Sequence, residues 1–504
     1  MRRLLPIPVL LLLALALLPA RAVAAPDQEA TMQDDDSFLY TTPAKRRKAL
    51  DKAAALGVDR IRATVLWAAV APDDTKRKKP AGFDSADPSS YPPGTWTNYD
   101  ELVREANARD IGVNFNLTGP SPYWANKKPP RPDIVDNFEP SPKEFANFVT
   151  AVGRRYSGSF ADSITGNPPR VNYWSIWNEP NHSGWLTPTW DKRKGKFVER
   201  SASLYRELLR AGYKALRATG HGRDTILFGE TAPAGNDSMD VKRFMTPVTF
   251  IDALYCVDAD LKRLRGKDAK RLECPASKKA FVRANPALFK ASGYAHHPYQ
   301  LLTAPDVKPD DERIITIAVI DRLEKRLDTI QRRYGKQRRL PIYLTEFGYQ
   351  SKPDPLGVSL AKQAEFINQS EYIAARDKRV KTMAQFLLRD GGPPIGLTFQ
   401  SGLETRKNVA KPAFAAYQLP VWVTRKGAKR SVWGLVRPAV AGQRVKALVQ
   451  MRVKGAKWKT VDTVKTRGPR NTFRARVKVP RDAKGAKLRV KSGALQSRTA
   501  SLKG

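Results

Sequence analysis

The sequence is poor in the residues that build metal clusters and disulfide frameworks. Its 504 residues include only two cysteines and four histidines. This scarcity excludes a small disulfide-stapled fold and a structural zinc site, and we expect no cofactor and no metal site. In an oxidising compartment Cys256 and Cys274 are expected to form one disulfide, and the alternative is a pair of buried free thiols.

Long hydrophobic runs are lacking beyond the N-terminus. Residues 1–24 contain two early arginines, the ten-residue apolar run Val9–Leu18 and the small residues Ala22-Val23-Ala24. This pattern is typical of a secretory signal peptide, and the apolar run is too short to span a bilayer. We therefore expect an extracellular protein, with cell-wall association as an open alternative, and no transmembrane segment.

Acidic residues are scarce relative to basic ones. The chain has 89 lysines and arginines against 49 aspartates and glutamates, and residues 421–504 alone hold 24 basic residues against Asp462 and Asp482. In RVKALVQMRVK and FRARVKVP the basic residues alternate with apolar ones, which indicates the wet face of β-strands rather than a nucleic-acid motif. We expect no nucleic acid as partner. The two remaining interpretations are a surface for acidic cell-wall polymers or anionic polysaccharides and a merely solvated basic face.

Helical stretches alternate with short apolar runs over most of the chain. Residues 26–36 are interpreted as a loose lead-in, the first strand is predicted near 38–40 and the last at 395–399. About eight such units over residues 37–419 predict a (β/α)₈ TIM barrel, since strand–helix alternation gives parallel strands. Residues 420–504 lose the helical period and predict a small all-β sandwich. Neither GxGxxG after the first strand nor GxxxxGK[ST] occurs, so nucleotide-binding folds lose their main support.

Three glutamates directly follow apolar runs. They are Glu179 in YWSIWNEPN, Glu230 in ILFGETAP and Glu346 in IYLTEFGYQ. Catalytic groups of this fold lie at the carboxyl ends of strands, so Glu179 on the fourth strand and Glu346 on the seventh should face each other across the barrel mouth. Two opposed carboxyls are what cleavage of a glycosidic bond needs. Glu230 is either a third site residue or a structural partner of an arginine.

The segments WNEP and TEFG resemble the retaining glycoside hydrolases of clan A, which include the cellulase-like families 5 and 39. The resemblance implies hydrolysis of a β-linked oligo- or polysaccharide, with Glu179 as acid/base and Glu346 as nucleophile. It also implies that Arg62, at the end of the second strand, supports the nucleophile. His297 and Tyr299 match a His-x-Tyr element after the sixth strand, whose tyrosine commonly bonds the nucleophile.

The chemistry of these two glutamates sets further expectations. Glu346 beside Arg62 should stay charged, and the facing charge together with burial should raise the pKa of Glu179. A separation of about 5 Å between the carboxyls is expected for a reaction that retains the anomeric configuration.

Other residues are candidates for sugar binding. Asn178 could hydrogen-bond a sugar hydroxyl, and the loop residues Trp124 and Trp185 are predicted to stack on sugar rings. Trp177 lies within the strand, so core packing is the favoured role for it.

The sequence departs from the clan at two strands. LTFQSG puts Phe399 or Gln400 where the clan often has a tryptophan, and Asn116 and Thr118 stand where family 5 usually has a histidine. The family within the clan and the sugar therefore stay open. A transglycosylase would share the catalytic residues, and a non-catalytic polysaccharide-binding protein on a barrel scaffold is the alternative from another class.

Overall fold

The computed structural model describes residues 28–162, 166–193, 195–240, 243–427, 429–439, 442–454, 456–479 and 485–502. The predicted signal peptide, residues 1–24, lies outside the described residues.

Eight parallel strands form a closed barrel. They follow one another in chain order around it, and the last strand pairs with the first to close the ring. The predicted TIM barrel is thereby confirmed. The strands are β1 (Glu29–Gln33), β2 (Arg60–Leu66), β3 (Gly112–Thr118), β4 (Tyr173–Ile176), β5 (Thr225–Thr231), β6 (Gly293–His296), β7 (Ile342–Leu344) and β8 (Val380–Phe386).

Helices lie between the strands in sequence. None of those in the described residues is long and apolar enough to cross a membrane. They are α1 (Asp35–Phe38), α2 (Pro43–Ala55), α3 (Trp67–Val70), α4 (Thr97–Asn107), α5 (Pro142–Arg155), α6 (Arg200–Leu216), α7 (Pro247–Leu254), α8 (Gly266–Arg271), α9 (Lys278–Ala284), α10 (Ala287–Lys290), α11 (Ile320–Arg333), α12 (Leu360–Ala375) and α13 (Pro412–Gln418). A short hairpin, Asp191–Arg193 with Lys196–Val198, precedes α6.

Helix α5 illustrates how local sequence and packing agree. The Ser141 hydroxyl caps its first turn and Pro142 occupies the first helical position, where a missing N–H costs nothing. Its buried face includes Phe145, whose ring lies 5.2 Å from that of Trp177, the residue after β4. The helix thereby supports the strand end that carries Glu179.

The predicted positions of the first and last strands are wrong. The first strand is Glu29–Gln33, within the supposed lead-in, and Phe38 belongs to helix α1. The last strand is Val380–Phe386, while residues 395–399 form a loop with one isolated bridge. Both true strands bury polar side chains such as Gln33 and Gln385, so neither reads as a plain apolar run.

The C-terminal region forms two antiparallel sheets around one apolar core, which includes Val432, Val449, Phe473 and Leu488. The predicted all-β domain, called the β-domain below, is confirmed. The strands are β9 (Val421–Lys426), β10 (Lys429–Leu435), β11 (Lys446–Arg452), β12 (Lys459–Lys465), β13 (Thr472–Lys478), β14 (Lys487–Ser492), β15 (Leu495–Gln496) and β16 (Ala500–Ser501). One sheet has the order β9–β10–β13, and the other has β12–β11–β14 with the short strands β15 and β16 beside β14.

A buried ion pair joins the two domains. Arg437 of the β-domain donates hydrogen bonds to both carboxylate oxygens of Glu371 in α12 and to the Tyr417 carbonyl oxygen at 2.8 Å. The Trp433 ring packs 5.4 Å from Tyr372 on the same helix. The β-domain is therefore docked on the outside of the barrel, against α12.

Cys256 and Cys274 form a disulfide that closes a loop with a sequence separation of 18 residues. We expect replacement of both cysteines by serine to lower the free energy of unfolding by about 3 kcal/mol, because the unfolded chain regains the entropy of an open loop. Denaturant titration of wild type and the double variant measures the difference. Unchanged stability would contradict this expectation, and wild type titrated with a reductant is the matched control.

Candidate active site

A cavity of about 990 Å³ opens at the carboxyl ends of the barrel strands. This is the face at which TIM-barrel enzymes carry their catalytic groups. Its lining includes Asn178, Glu179, Trp185, Tyr299, Glu346 and Phe399.

Glu346 follows β7 and is held by two donors. Arg62 on β2, fully buried, donates from Nη1 to Glu346 Oε1 at 2.6 Å. The Tyr299 hydroxyl donates to Glu346 Oε2 at 3.1 Å. Both oxygens are thus engaged, which fixes the orientation of the carboxylate. The structure brings Arg62 and Tyr299 to this carboxyl, as the sequence predicted.

Glu179 lies at the end of a tight turn after β4. Trp177 and Glu179 have positive φ angles of 69° and 37°, a conformation that costs free energy for residues other than glycine. Between them, Asn178 accepts a hydrogen bond from Arg62 Nη2 at 2.8 Å through its side-chain oxygen. The turn therefore directs Glu179 into the cavity while tying the strand end to Arg62.

The two glutamates face each other closely. An oxygen of Glu179, an oxygen of Glu346 and a ring nitrogen of His297 all lie within 4.8 Å of one another. This spacing is close to the roughly 5 Å typical of carboxyl pairs that work by double displacement.

Glu230 reaches the same cluster from inside the barrel. The pairing of β5 with β6 shifts register at this residue, and its φ of 47° marks a bulge that redirects the side chain. Its Oε2 accepts hydrogen bonds from Arg62 at 3.1 Å and from Thr345 at 2.6 Å, and lies 2.8 Å from His297 Nε2. Both interpretations offered by the sequence hold, since Glu230 pairs with an arginine and belongs to the site.

His297 is surrounded by carboxylates. Its Nδ1 lies 2.9 Å from Glu179 Oε1 and 3.5 Å from Glu346 Oε2. Burial alone would lower the pKa of His297, but the charges and hydrogen bonds of Glu346, Glu179 and Glu230 raise it to about 10. In the same way burial would raise the pKa of Glu230, but Arg62 and His297 lower it to about 2. His297 is therefore a cation at neutral pH and Glu230 an anion.

The expectation of a raised pKa for Glu179 is wrong. Burial does raise it, but the hydrogen bond from His297 and the nearby charges of His297, His182 and Arg62 lower it overall. The like charge of Glu346 is outweighed because a cation stands between the two carboxylates.

The predicted aromatic residues fall in different places. Trp185 lines the cavity, while Trp177 is buried and packs in the core as favoured. Trp124 lies away from the cavity lining, in an aromatic cluster with ring centroids 6.3 Å from Trp67 and 6.0 Å from Phe83. Its indole nitrogen donates to a backbone carbonyl, so this ring supports a loop beside its aromatic neighbours and does not line the cavity.

The two segments with unusual residues, the loop around Phe399 and strand β3, contribute differently. Phe399 lines the cavity, with its ring 5.1 Å from Phe386 at the end of β8, while Gln400 is buried and bonds to loop backbone. On β3, Asn116 lies 3.1 Å from the side-chain oxygen of Asn178, and Thr118 is buried.

Several cavity residues were not predicted from the sequence. Gln33 and Asp35 reach the cavity from the end of β1, and Phe386 from β8, so both misplaced strands carry part of the site. His182 also lines the cavity and stacks on Phe244 with ring centroids 3.6 Å apart. Its position three residues after Glu179, in the loop following WNEP, is the sequence feature that indicates a place near the cavity.

Comparison with solved structures finds chains of similar fold. A glucosidase from Croceicoccus marinus aligns over 95% of this chain and 97% of that chain, with 12% identity and a TM-score of 0.50. An endo-beta-1,4-mannanase from Thermotoga petrophila aligns over 95% and 97%, with 11% identity and a TM-score of 0.43. No family model and no curated protein matches the sequence. The alignment with the glucosidase agrees with the (β/α)₈ barrel fold of this chain and shows no activity.

The His297 cluster should make stability depend on alkaline pH. The folded-state pKa of about 10 lies above the unfolded value of about 6.5. The resulting stabilisation is fully present below about pH 6.5 and is lost as the pH rises towards 10. We expect His297→Gln to flatten this part of the stability profile, measured by denaturant titration across the range. Parallel profiles for wild type and variant would contradict the assignment.

Proposed function

We propose that the protein is a retaining glycoside hydrolase that cleaves β-linked oligo- or polysaccharides outside the cell. The observation that carries the proposal is the pair Glu179 and Glu346, which face each other within 4.8 Å in an open cavity at the catalytic face of the barrel. The N-terminal apolar run and the disulfide support secretion.

Glu346 is the nucleophile in this proposal. Its carboxylate attacks the anomeric carbon and forms a covalent glycosyl-enzyme, while Glu179 gives a proton to the departing oxygen. Arg62 and Tyr299, which hold the two oxygens of Glu346, keep the attacking atom in place.

Glu179 changes role in the second half of the cycle. It takes a proton from a water molecule, which attacks the anomeric carbon from the face that the leaving group vacated. The bond to Glu346 breaks and its carboxylate is restored, so two inversions give net retention. Formation of the ester removes one negative charge from beside His297, and hydrolysis of the ester in this step restores it.

The cavity walls support a carbohydrate as substrate. Trp185 and Phe399 present aromatic rings, and the apolar face of a sugar stacks on such surfaces. Asn178 and the acidic residues supply polar groups for hydroxyls, a combination typical of small-molecule sites.

The first test measures sugar release from β-glucans, mannans, xylans and arabinose- or galactose-containing glycosides. We expect Glu346→Ala and Glu179→Ala each to lower kcat/KM by at least about 10²-fold, because each removes a group that acts on the reacting bond. Added azide should rescue both variants on activated aryl glycosides. The azide product should have the inverted configuration with Glu346→Ala and the retained one with Glu179→Ala.

Glu371→Gln serves as the control for these variants, because Glu371 is a buried carboxyl outside the cavity. Sugar release that survives Glu346→Ala would contradict the nucleophile assignment. If a glycan of the panel binds to the protein but no sugar is released from any of them, the non-catalytic polysaccharide-binding protein would be favoured instead.

We further propose that the β-domain binds an acidic polymer, such as an anionic polysaccharide of a cell wall. Basic side chains recur at alternate positions of β13 and β14 and at both ends of β11. They are exposed on β13 and at the ends of β11, and on β14 Lys487 is exposed while Arg489 and Lys491 are half-buried. Lys446 and Arg452 lie on β11, with Lys487 and Lys491 on the neighbouring β14. A surface of one charge sign attracts polyanions over several ångströms.

Binding of polygalacturonate to the full chain tests this surface. We expect binding to weaken with salt, and replacement of Lys446, Arg452, Lys487 and Lys491 by glutamine to lower affinity on the order of tenfold. The control replaces four exposed barrel lysines: Lys278, Lys279, Lys290 and Lys336. Equal losses in both variants would mean that only net charge matters and would contradict a dedicated surface.

A further inference from the structure

We propose that Glu230 is a positioning residue that acts through His297 to hold the exchangeable proton of the site against Glu179. The inference rests on the proposed function, in which Glu179 is the proton donor. It adds a third carboxylate to the two that the resemblance implies.

Both ring nitrogens of His297 meet carboxylate oxygens. Nε2 lies 2.8 Å from Glu230 Oε2 and Nδ1 lies 2.9 Å from Glu179 Oε1. An ionised carboxylate can only accept a hydrogen bond. When both glutamates are charged, the ring must therefore carry a proton on each nitrogen.

The Glu230 carboxylate is held in place by several other contacts. Its side chain is fully buried, and the oxygen that faces His297 also accepts from Arg62 and Thr345. Its backbone carbonyl accepts the Glu179 backbone N–H at 2.9 Å, so the same residue also fixes the turn that carries Glu179. Since Glu230 is enclosed in this way, it keeps its charge through the reaction.

With Nε2–H committed to Glu230, the proton that can move is the one between His297 Nδ1 and Glu179 Oε1. It lies on the ring as an imidazolium–carboxylate pair or on Glu179 as an imidazole–carboxylic acid pair, and the atoms are the same in both. Proton donation to the leaving oxygen removes it from the pair, and the attacking water returns one. The pair thus supplies an acid even though the resting pKa of Glu179 is lowered.

Other charged groups lie around His297 and Glu179. His297 also faces Glu346 Oε2 at 3.5 Å, Tyr299 donates to the same oxygen, and Arg62 donates to Oε1. Glu179 also faces His182, whose pKa is lowered by burial.

His296 on β6 points elsewhere, with its ring nitrogens 2.8 Å from Thr231 Oγ1 and 2.9 Å from the Ile315 carbonyl oxygen. Glu346 loses its charge when it is esterified. Glu230 then remains as a constant counter-charge for His297.

Nitrogen NMR of histidine-labelled protein tests the proposal without any substrate. The chain has four histidines, so the spectrum can be assigned with single variants. We expect His297 to be protonated at about pH 8 in wild type, and its titration midpoint in Glu230→Gln to lie about 1 to 3 pH units lower, because the loss of an adjacent charge moves a pKa by that amount. Glu371→Gln should leave the His297 signals unchanged.

The pH profile of kcat/KM gives the second readout. We expect Glu230→Gln to move the alkaline limb down by about 1 to 3 pH units, with a loss on the order of tenfold or more at about pH 9 and a much smaller one at about pH 6. An equal loss at every pH would indicate a merely structural role and would overturn the proposal.

A neutral His297 in wild type at about pH 8 would also overturn it, and this result stands even if Glu230→Gln does not fold. A protonated His297 in a protein that releases no sugar would instead contradict the proposed function while leaving the proton arrangement intact.

Discussion

The guanidinium of Arg62 is the interaction on which the rest of the site depends. It is fully buried and contacts Gln33 on β1, Asn178 after β4, Glu230 on β5 and Glu346 after β7. A buried cation is costly unless its counter-charges and hydrogen-bond acceptors are fixed in place. One side chain therefore links residues on or directly after four barrel strands. It thereby positions Glu346 directly and Glu179 through the neighbouring Asn178.

Local partners, and not the net charge, decide the protonation of this site. The chain carries a formal charge of +40, yet the ion-pair cluster at the base of the site brings the carboxylates of Glu179, Glu230 and Glu346 around the two cations Arg62 and His297. Surface charges farther than about 8 Å are screened at physiological salt, whereas buried neighbours interact through a poorly polarisable interior. The surplus of basic residues can thus serve the exterior, most of all the β-domain, without altering the chemistry inside.

The sequence predicted those parts of the barrel in which an apolar run ends in a polar residue. The strands before Glu179 and Glu346 have this form, so their strand numbers and their meeting at the barrel mouth were predictable. Strands β1 and β8 do not, because side chains such as Gln33 and Gln385 are polar and buried. The position of Trp124 was not predictable for a related reason, since a loop tryptophan can pack beside a cavity or among neighbouring rings, and only tertiary packing places it with Trp67 and Phe83.

Glu230 shows why two interpretations of one residue need not compete. From sequence it was either a partner of an arginine or a member of the site, and the bulge in β5 makes it both. Removing an ion-pair partner inside a protein leaves an uncompensated charge, so stability alone would retain a carboxylate beside Arg62. Once it is there, the oxygen that accepts from Arg62 and Thr345 also meets His297, and through that ring the same carboxylate reaches the proton of Glu179. A residue that is needed to fold the barrel mouth can in this way also set the acid–base state of the group that would act on the substrate.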